Sequence, residues 1–229
     1  MVSQTGIRRR AAARALGGLW ALALAMGLIL FGVSGSLDYP GAWALMACVL
    51  GPTAAIYTYF LAIDPSFLLK RLVFRGSSPF QTLLEASCAL CILALIGLPA
   101  LGRRLGWKVL PDWCVFPGAG LVSGGYALLF AGYRHNRFAA RSLSIQDGQS
   151  LADTGPYALL RHPVYAAAAM INLGTPLILG SAWGYLAAPP LLGILIIRIL
   201  SEEAFLYRRL PGYADYMRRV RWRLIPGLW

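Results

Sequence analysis

Two short polar clusters on either side of an apolar hairpin hold the side chains best suited to chemistry in this chain. The first is Gly155-Pro156-Tyr157 followed by Arg161-His162-Pro163-Val164-Tyr165, and the second is Arg198, Glu202 and Glu203. Pro163 lacks an N–H and presets φ, so it belongs at the first position of a helix, with His162 at or just before the cap. The start of that helix would turn free backbone N–H groups and a positive dipole end towards the membrane boundary, a site for a carboxylate or phosphate. Tyr165, three residues on from His162, lies on a nearby face, and the Gly155-Pro156 turn aims Tyr157 towards the same region. Residue types alone leave a second role open, since Arg161, His162 and two tyrosines would also suit interfacial anchors at the end of a span.

Arg198 and Glu202 are four apart and share one helix face, while Glu203 lies about 100° round from Glu202. An i,i+4 ion pair with a surface acid beside it is the plain alternative. Against it, Arg198 follows eight uncharged residues from Pro190 to Ile197, which places it below the headgroups, where a charge usually marks a substrate or partner. A cation there could hold a substrate anion while Glu202 accepts hydrogen bonds from a second ligand. Metal chemistry is not indicated: His135 and His162 are 27 apart with no third ligand, and His135, in Tyr133-Arg134-His135-Asn136, reads as interfacial.

The elements that must position these residues are membrane helices. The chain has 229 residues, 58% hydrophobic and 13% charged, with mean hydropathy +0.62, too apolar for an ordinary soluble domain. Apolar blocks of about 20 residues match the length a helix needs to cross roughly 30 Å of hydrocarbon. The short alternating segments of a barrel are not seen. An all-α integral membrane fold of five to six spans is expected, at about 16–34, 42–62, 81–101 and 113–133, with a C-terminal hairpin at about 164–180 and 183–206 joined by Gly180-Ser181-Ala182. The first hairpin arm is short and contains Gly174 and Pro176, so it is bent, tilted or only dips into the bilayer. The first block follows Arg8, Arg9, Arg10 and Arg14 but is longer than a signal-peptide core and lacks a small-residue cleavage site, so it reads as a retained span.

The net charge of +12 sits in the joints between apolar blocks, where basic residues set topology and meet anionic headgroups; this excludes nucleic acid as the expected partner. Lys70, Arg71 and Arg75 interleave with Phe67, Leu68, Leu69, Leu72, Val73 and Phe74 in a surface segment after Asp64-Pro65. Glu85, near the start of the third span, is either a functional group or an interfacial partner for an arginine. Cys88 and Cys91 form a C-x-x-C inside an apolar run and, like Cys48 and Cys114, read as packing residues.

Placing the N-terminus inside with six crossings puts 17 of the 21 Lys+Arg on that side, Arg103, Arg104 and Lys108 on the other, and Arg198 within the last helix. Both termini and the polar clusters are then expected at the cytoplasmic face of a membrane, taken as a bacterial inner membrane. The long polar joint carrying Arg134, Arg137, Arg141, Asp147, Asp153 and Arg161 leads directly into the clusters. It separates residues 1–134, expected to be scaffold and substrate access, from 135–229, expected to be the cofactor-binding core. The tail pairs Arg208, Arg209, Arg218, Arg219, Arg221 and Arg223 with Tyr213, Tyr216, Trp222 and Trp229, as at a membrane–water interface.

Taken together, Gly155-Pro156-Tyr157, Arg161-His162-Pro163-Val164-Tyr165, the Gly174 region, the Arg198-to-Glu203 pattern and Gly212-Tyr213-x-x-Tyr216 resemble the isoprenylcysteine carboxyl methyltransferase family. That family lies within a wider group of integral-membrane methyltransferases that includes phospholipid N-methyltransferases. The resemblance covers residues 141–229. It implies S-adenosyl-L-methionine as cofactor, bound by Gln149, Leu151, Ala152, Tyr157, His162, Pro163, Val164, Tyr165 and Glu202. It implies Arg198 as the catalytic residue that meets a substrate carboxylate, with Glu203 assigned beside it to the substrate. Gln149 and Ala152 stand where the family has His and Val, and Ala166-Ala167 replaces the small-Gly pair that often follows the tyrosine.

The implied activity is methyl transfer to a lipophilic acceptor, an isoprenylcysteine-like carboxylate. A sulfonium carries an already activated methyl, so neither a nucleophilic side chain nor a metal is required. Alternatives are a phospholipid amine N-methyltransferase, an NADPH-dependent sterol-type reductase with a related H-P-x-Y segment and basic tail, and a non-enzymatic membrane subunit.

Overall fold

A computed structural model describes residues 4–72, 79–107, 110–138 and 149–229. Val73, Phe74, Arg75, Lys108, Arg141 and Asp147, named above, lie outside the described residues. Within them the chain is all-helical. Its helices are α1 (Gln4–Gly27, continued by a π turn Leu28–Gly32), α2 (Pro40–Ile63), α3 (Pro65–Leu72), α4 (Pro79–Arg104), α5 (Val115–His135), α6 (Pro163–Ile178), α7 (Ala188–Arg209) and α8 (Tyr213–Arg219). Five helical segments are long and apolar enough to cross a membrane: Thr5–Gly32, Pro40–Ile63, Pro79–Arg104, Asp112–His135 and Ala182–Arg209. Trp20, Leu90 and Phe116 on α1, α4 and α5 are more than 60% exposed, which suits a hydrocarbon solvent rather than water.

Proline placement explains several boundaries. Asp64 caps α3, its Oδ1 accepting from the Phe67 N–H at 3.0 Å, and Pro65 opens the helix. The second hairpin arm, expected as helix from 183, instead starts with a 3-10 stretch, Ala182–Ala187, and becomes α-helical only at Ala188. Pro189 and Pro190 have no N–H to donate and fit best in a first turn, where that N–H would have no partner in the helix, and the α-helix begins just ahead of them. At the other end of the chain, α1 begins at Gln4 rather than at 16, because nothing in the arginine-rich segment breaks a helix.

The hairpin's first arm, α6, has 16 residues, about 24 Å at 1.5 Å per residue, less than the roughly 30 Å of hydrocarbon. It packs antiparallel on α5 at backbone contact, through glycines at every seventh position. A Cβ on Gly118 would come within 2.9 Å of the Gly174 carbonyl oxygen, one on Gly125 within 2.9 Å of that of Ala167, and one on Gly132 within 3.0 Å of a Val164 methyl. Small residues at such seams let helices approach closely where no hydrophobic force drives them together. The far end of the bundle is closed by Tyr39 Oη donating to the Leu179 carbonyl at 2.9 Å and by the Leu110 N–H donating to that of Gly180 at 2.7 Å.

The C-terminal tail returns to the start of α6. The Arg161 N–H donates to the Trp222 carbonyl at 2.8 Å and the His162 N–H to that of Arg223 at 3.0 Å. Tyr216, 1% exposed, donates its hydroxyl to the Tyr157 carbonyl at 2.8 Å. Two loops that carry polar residues are thereby tied to one another before any ligand is considered.

Candidate active site

A cavity of about 1510 Å³ opens between α4, α5, α6, α7 and the segments that flank α6. Of the residues the sequence singled out, Gln149, Leu151, Ala152, Tyr157, His162, Val164, Tyr165, Arg198 and Glu202 all line it. Pro163 is buried at the first position of α6 behind this wall, with His162 at the cap. The predicted cap geometry is therefore present: His162 has φ −128° and its carbonyl accepts from the N–H groups of Tyr165 and Ala166 at 3.1 and 3.0 Å.

Tyr165 and Glu202 meet directly, the tyrosine hydroxyl donating to Glu202 Oε2 at 2.8 Å. Arg198 stands close enough to hydrogen-bond the same hydroxyl, and it forms no ion pair with Glu202. The i,i+4 salt bridge that their spacing allowed is thus replaced by a shared contact with α6. This leaves the guanidinium facing the cavity with hydrogen-bonding capacity to spare.

Glu203 takes a different place from its neighbour. It is 5% exposed and is absent from the cavity wall, where Glu202 is present. Its Oε1 lies 3.2 Å from Arg161 Nη1 and 3.3 Å from His162 Nε2, and its Oε2 accepts from Arg223 Nε at 2.9 Å. A carboxylate so buried is stable only when paired and hydrogen-bonded, and here it binds the start of α6 and the C-terminal tail to α7.

Tyr157 is held from both sides. Asn136 Nδ2 donates to its hydroxyl at 3.3 Å, and burial pushes the phenol up to about 12. The turn before it depends on Gly155, whose φ is +59° and whose missing side chain makes room for the His135 ring, 2.5 Å from where a Cβ would stand. His135, expected at the interface, is thus also the residue against which this turn is set.

Three further residues that the sequence did not assign to the site belong to the wall. Glu85 reaches the cavity from α4 with Oε2 buried and without a hydrogen-bond partner, and its carboxylate and Arg198 both act electrostatically on Cys88. Arg71 from α3 lines the cavity and donates to Tyr133 Oη at 2.6 Å with its guanidinium 4.7 Å over the ring. Tyr213 from α8 lines it too, 3% exposed, its hydroxyl buried without a partner. Burial, then the Glu203 and Glu202 carboxylates, push that phenol above its ordinary range, so it is a hydrogen-bond donor at neutral pH. Glu85 was visible as a charge inside an apolar block; nothing in the spacing showed that Tyr213 turns inward.

The wall combines a cluster of donors and acceptors with an apolar stretch formed by Ile92, Ile171, Leu173, Leu192 and Leu195. At about 1510 Å³ it exceeds the roughly 300–1,000 Å³ usual for a single small ligand, leaving room for a polar cofactor and an apolar acceptor side by side. The family model described as phospholipid methyltransferase matches residues 113–211, from just before α5 to the end of α7. Over these residues, less than half of the chain, the protein is similar to that family. The match spans both polar clusters, the hairpin between them and the glycine seam of α5 and α6, so the methyltransferase segment and the walls of the cavity largely coincide. No curated protein matches the chain.

Proposed function

We propose that the protein is an S-adenosylmethionine-dependent methyltransferase acting on a lipophilic acceptor at the cytoplasmic face of a bacterial inner membrane. The observation that carries this reading is one cavity, in a chain with a region similar to a methyltransferase family, that brings Gln149 to Ala152, Tyr157, His162, Val164, Tyr165, Arg198 and Glu202 to a common wall. S-adenosylmethionine supplies an activated methyl group when bound. The chain's own task is to orient two ligands and keep water out.

Glu202, fixed by Tyr165, presents an acceptor to the hydroxyl and amine donors of the cofactor, while Tyr157 and Leu151 form the side against which its adenosine rests. The residues fit such a group because a buried donor without a partner, Tyr213 Oη, lies in the same wall. Arg198 takes the acceptor's anion, and the apolar stretch takes its hydrocarbon part, which enters from the lipid past α4 and α7. Helices α1 to α4 then serve as scaffold and access route. With a carboxylate acceptor such as an isoprenylcysteine-like molecule, Arg198 holds one oxygen so that the other faces the methyl group; transfer gives the ester and leaves S-adenosylhomocysteine.

A second acceptor class is favoured by the family description and by Glu85. A phospholipid amine would place its phosphate on Arg198 and its amino group towards the partnerless Glu85 oxygen. Calorimetric titration of the detergent-purified protein with S-adenosylhomocysteine, with NADPH in parallel, tests the methyltransferase reading. Saturable binding of the former alone supports it and justifies a screen of prenylcysteines, phospholipid amines and small thiols. Binding of NADPH alone points to a reductase, and binding of neither removes the assignment.

A further inference from the structure

A polar side chain stands in the apolar part of the cavity. Asn172 is the tenth residue of α6, about 14 Å from the start of the helix and so close to half of the roughly 30 Å of hydrocarbon. It lines the cavity and is half-buried there. It follows Tyr165 by seven residues, which puts it on the same helix face two turns deeper. Seven residues back from Glu202, the partner of Tyr165, the other arm of the hairpin brings Leu195 into the wall at that depth. The polar groups nearest in sequence are engaged elsewhere: Thr175 donates to the Ile171 carbonyl at 2.8 Å and Tyr185 to that of Leu173 at 2.8 Å. Among the described residues Asn172 makes no hydrogen bond.

A carboxamide in apolar surroundings is costly while its N–H donors are unpaired, and polar residues inside a span usually face a substrate path or a partner. One acceptor group on the molecule that fills the apolar part would satisfy it. The anion site says where on that molecule the group must be. The Arg198 guanidinium reaches the Tyr165 hydroxyl, so an anion held by Arg198 lies at the level of Tyr165, with Asn172 about 10 Å deeper. In a glycerophospholipid the ester carbonyl carbon is about five bonds from phosphorus, about 6 Å when extended, and a hydrogen bond of about 3 Å at each end covers the rest. A prenyl chain carries no acceptor at that depth.

We propose that Asn172 donates a hydrogen bond to an acyl ester carbonyl of the methyl acceptor, which is therefore an acyl lipid with its phosphate on Arg198. This rests on the methyltransferase reading above, and within it selects the phospholipid amine over the isoprenylcysteine-like carboxylate. Asn172 is then a specificity determinant. It touches the acceptor deep in the cavity and takes no part in the transfer itself.

The test compares diacyl phosphatidylethanolamine with its dialkyl ether analogue, which keeps the headgroup and chain lengths and lacks both carbonyls, as methyl acceptors of the purified protein in detergent micelles. Wild type should show kcat/KM about tenfold higher for the ester, and Asn172→Leu should bring the ratio of the two to within about twofold of one. Asn172→Ala, which opens space where leucine fills it, should do the same, so that a packing fault in one variant does not decide the result. Both variants should bind S-adenosylhomocysteine as wild type does, because no bond made in the free protein is removed. An ester-to-ether ratio near one in wild type, or a wild-type ratio kept in both variants, overturns the proposal. So does failure to methylate either phospholipid, whether or not a prenylcysteine is turned over. Each of these, in protein that binds S-adenosylhomocysteine, leaves the methyltransferase reading standing, whereas wild-type protein that does not bind it removes that reading as well.

Discussion

Tyr165 and Glu202 are 37 residues apart in sequence and joined by a 2.8 Å hydrogen bond that crosses from α6 to α7. It sets the Glu202 carboxylate at the cavity wall and couples the two arms of the hairpin at their polar end. Replacing either partner should loosen the cofactor: Glu202→Ala and Tyr165→Ala are each expected to weaken S-adenosylhomocysteine binding by about tenfold or more, the scale of a hydrogen bond to a charged group. Titration calorimetry on both variants checks this, and unchanged affinity in both would remove Glu202 and Tyr165 from the cofactor site.

Arg198 should behave differently although it touches the same tyrosine. If it holds the acceptor, Arg198→Ala leaves S-adenosylhomocysteine affinity near wild type and lowers kcat/KM for the acceptor by about 10- to 100-fold. Glu85→Gln adds a discrimination between acceptor classes. It should impair turnover of an amine-bearing phospholipid and leave a prenylcysteine carboxylate unaffected, compared by initial rates on the two substrates.

Glu203, one residue further on, is expected to act on stability. Glu203→Ala leaves Arg161 and Arg223 without their buried counter-charge, a loss on the order of 3–5 kcal/mol. Thermal unfolding in detergent should show a large drop. Arg223→Ala, whose side chain is 26% exposed against 6% for Glu203, should cost less.

The α5–α6 seam predicts an effect far from the cavity's polar end. A Cβ on Gly174 would stand 2.6 Å from the Gly118 carbonyl oxygen, and a backbone atom cannot swing aside as a side chain can. Gly174→Ala should therefore destabilise by about 1–3 kcal/mol through overpacking. Gly120→Ala, on the facing helix α5 with open space around the added methyl, serves as the control and should be neutral or stabilising when the two melting temperatures are compared.

Alkaline pH should destabilise the tail and the loop it holds. Tyr157 is pushed up to about 12 and Tyr213 and Tyr216 are shifted in the same direction by burial, against about 10 for an unfolded tyrosine. A raised folded-state value means that the native protein holds these protons more tightly than the unfolded chain. Their contribution is complete below about pH 10 and is lost as pH rises towards 12. For Tyr157 alone this is about 2–3 kcal/mol at its limit. Melting temperature measured from pH 8 upward should fall above pH 10, and the slope should be shallower in Tyr157→Phe.

Much of the site could be read in the residues themselves. The proline at the start of α6, the four-residue step from Arg198 to Glu202 and the apolar lengths of the spans are local properties, governed by backbone geometry and by the thickness of a bilayer. Nine of the side chains named from these properties and from the family resemblance line one cavity. What they could not decide was rotation. In lipid both the buried and the outward face of a helix are apolar, so the periodicity that orients a helix in a soluble protein is weak here. Glu202 was assigned to the cofactor and Glu203 to the substrate, and only the packing of α7 against α6 and the returning tail sends the first to the cavity wall and the second to Arg161, His162 and Arg223. Tyr213 was hidden for the same reason. Its sequence setting is that of an interfacial aromatic, and it becomes a buried donor only because the left-handed turn at Gly212, φ +80°, folds α8 back over the site.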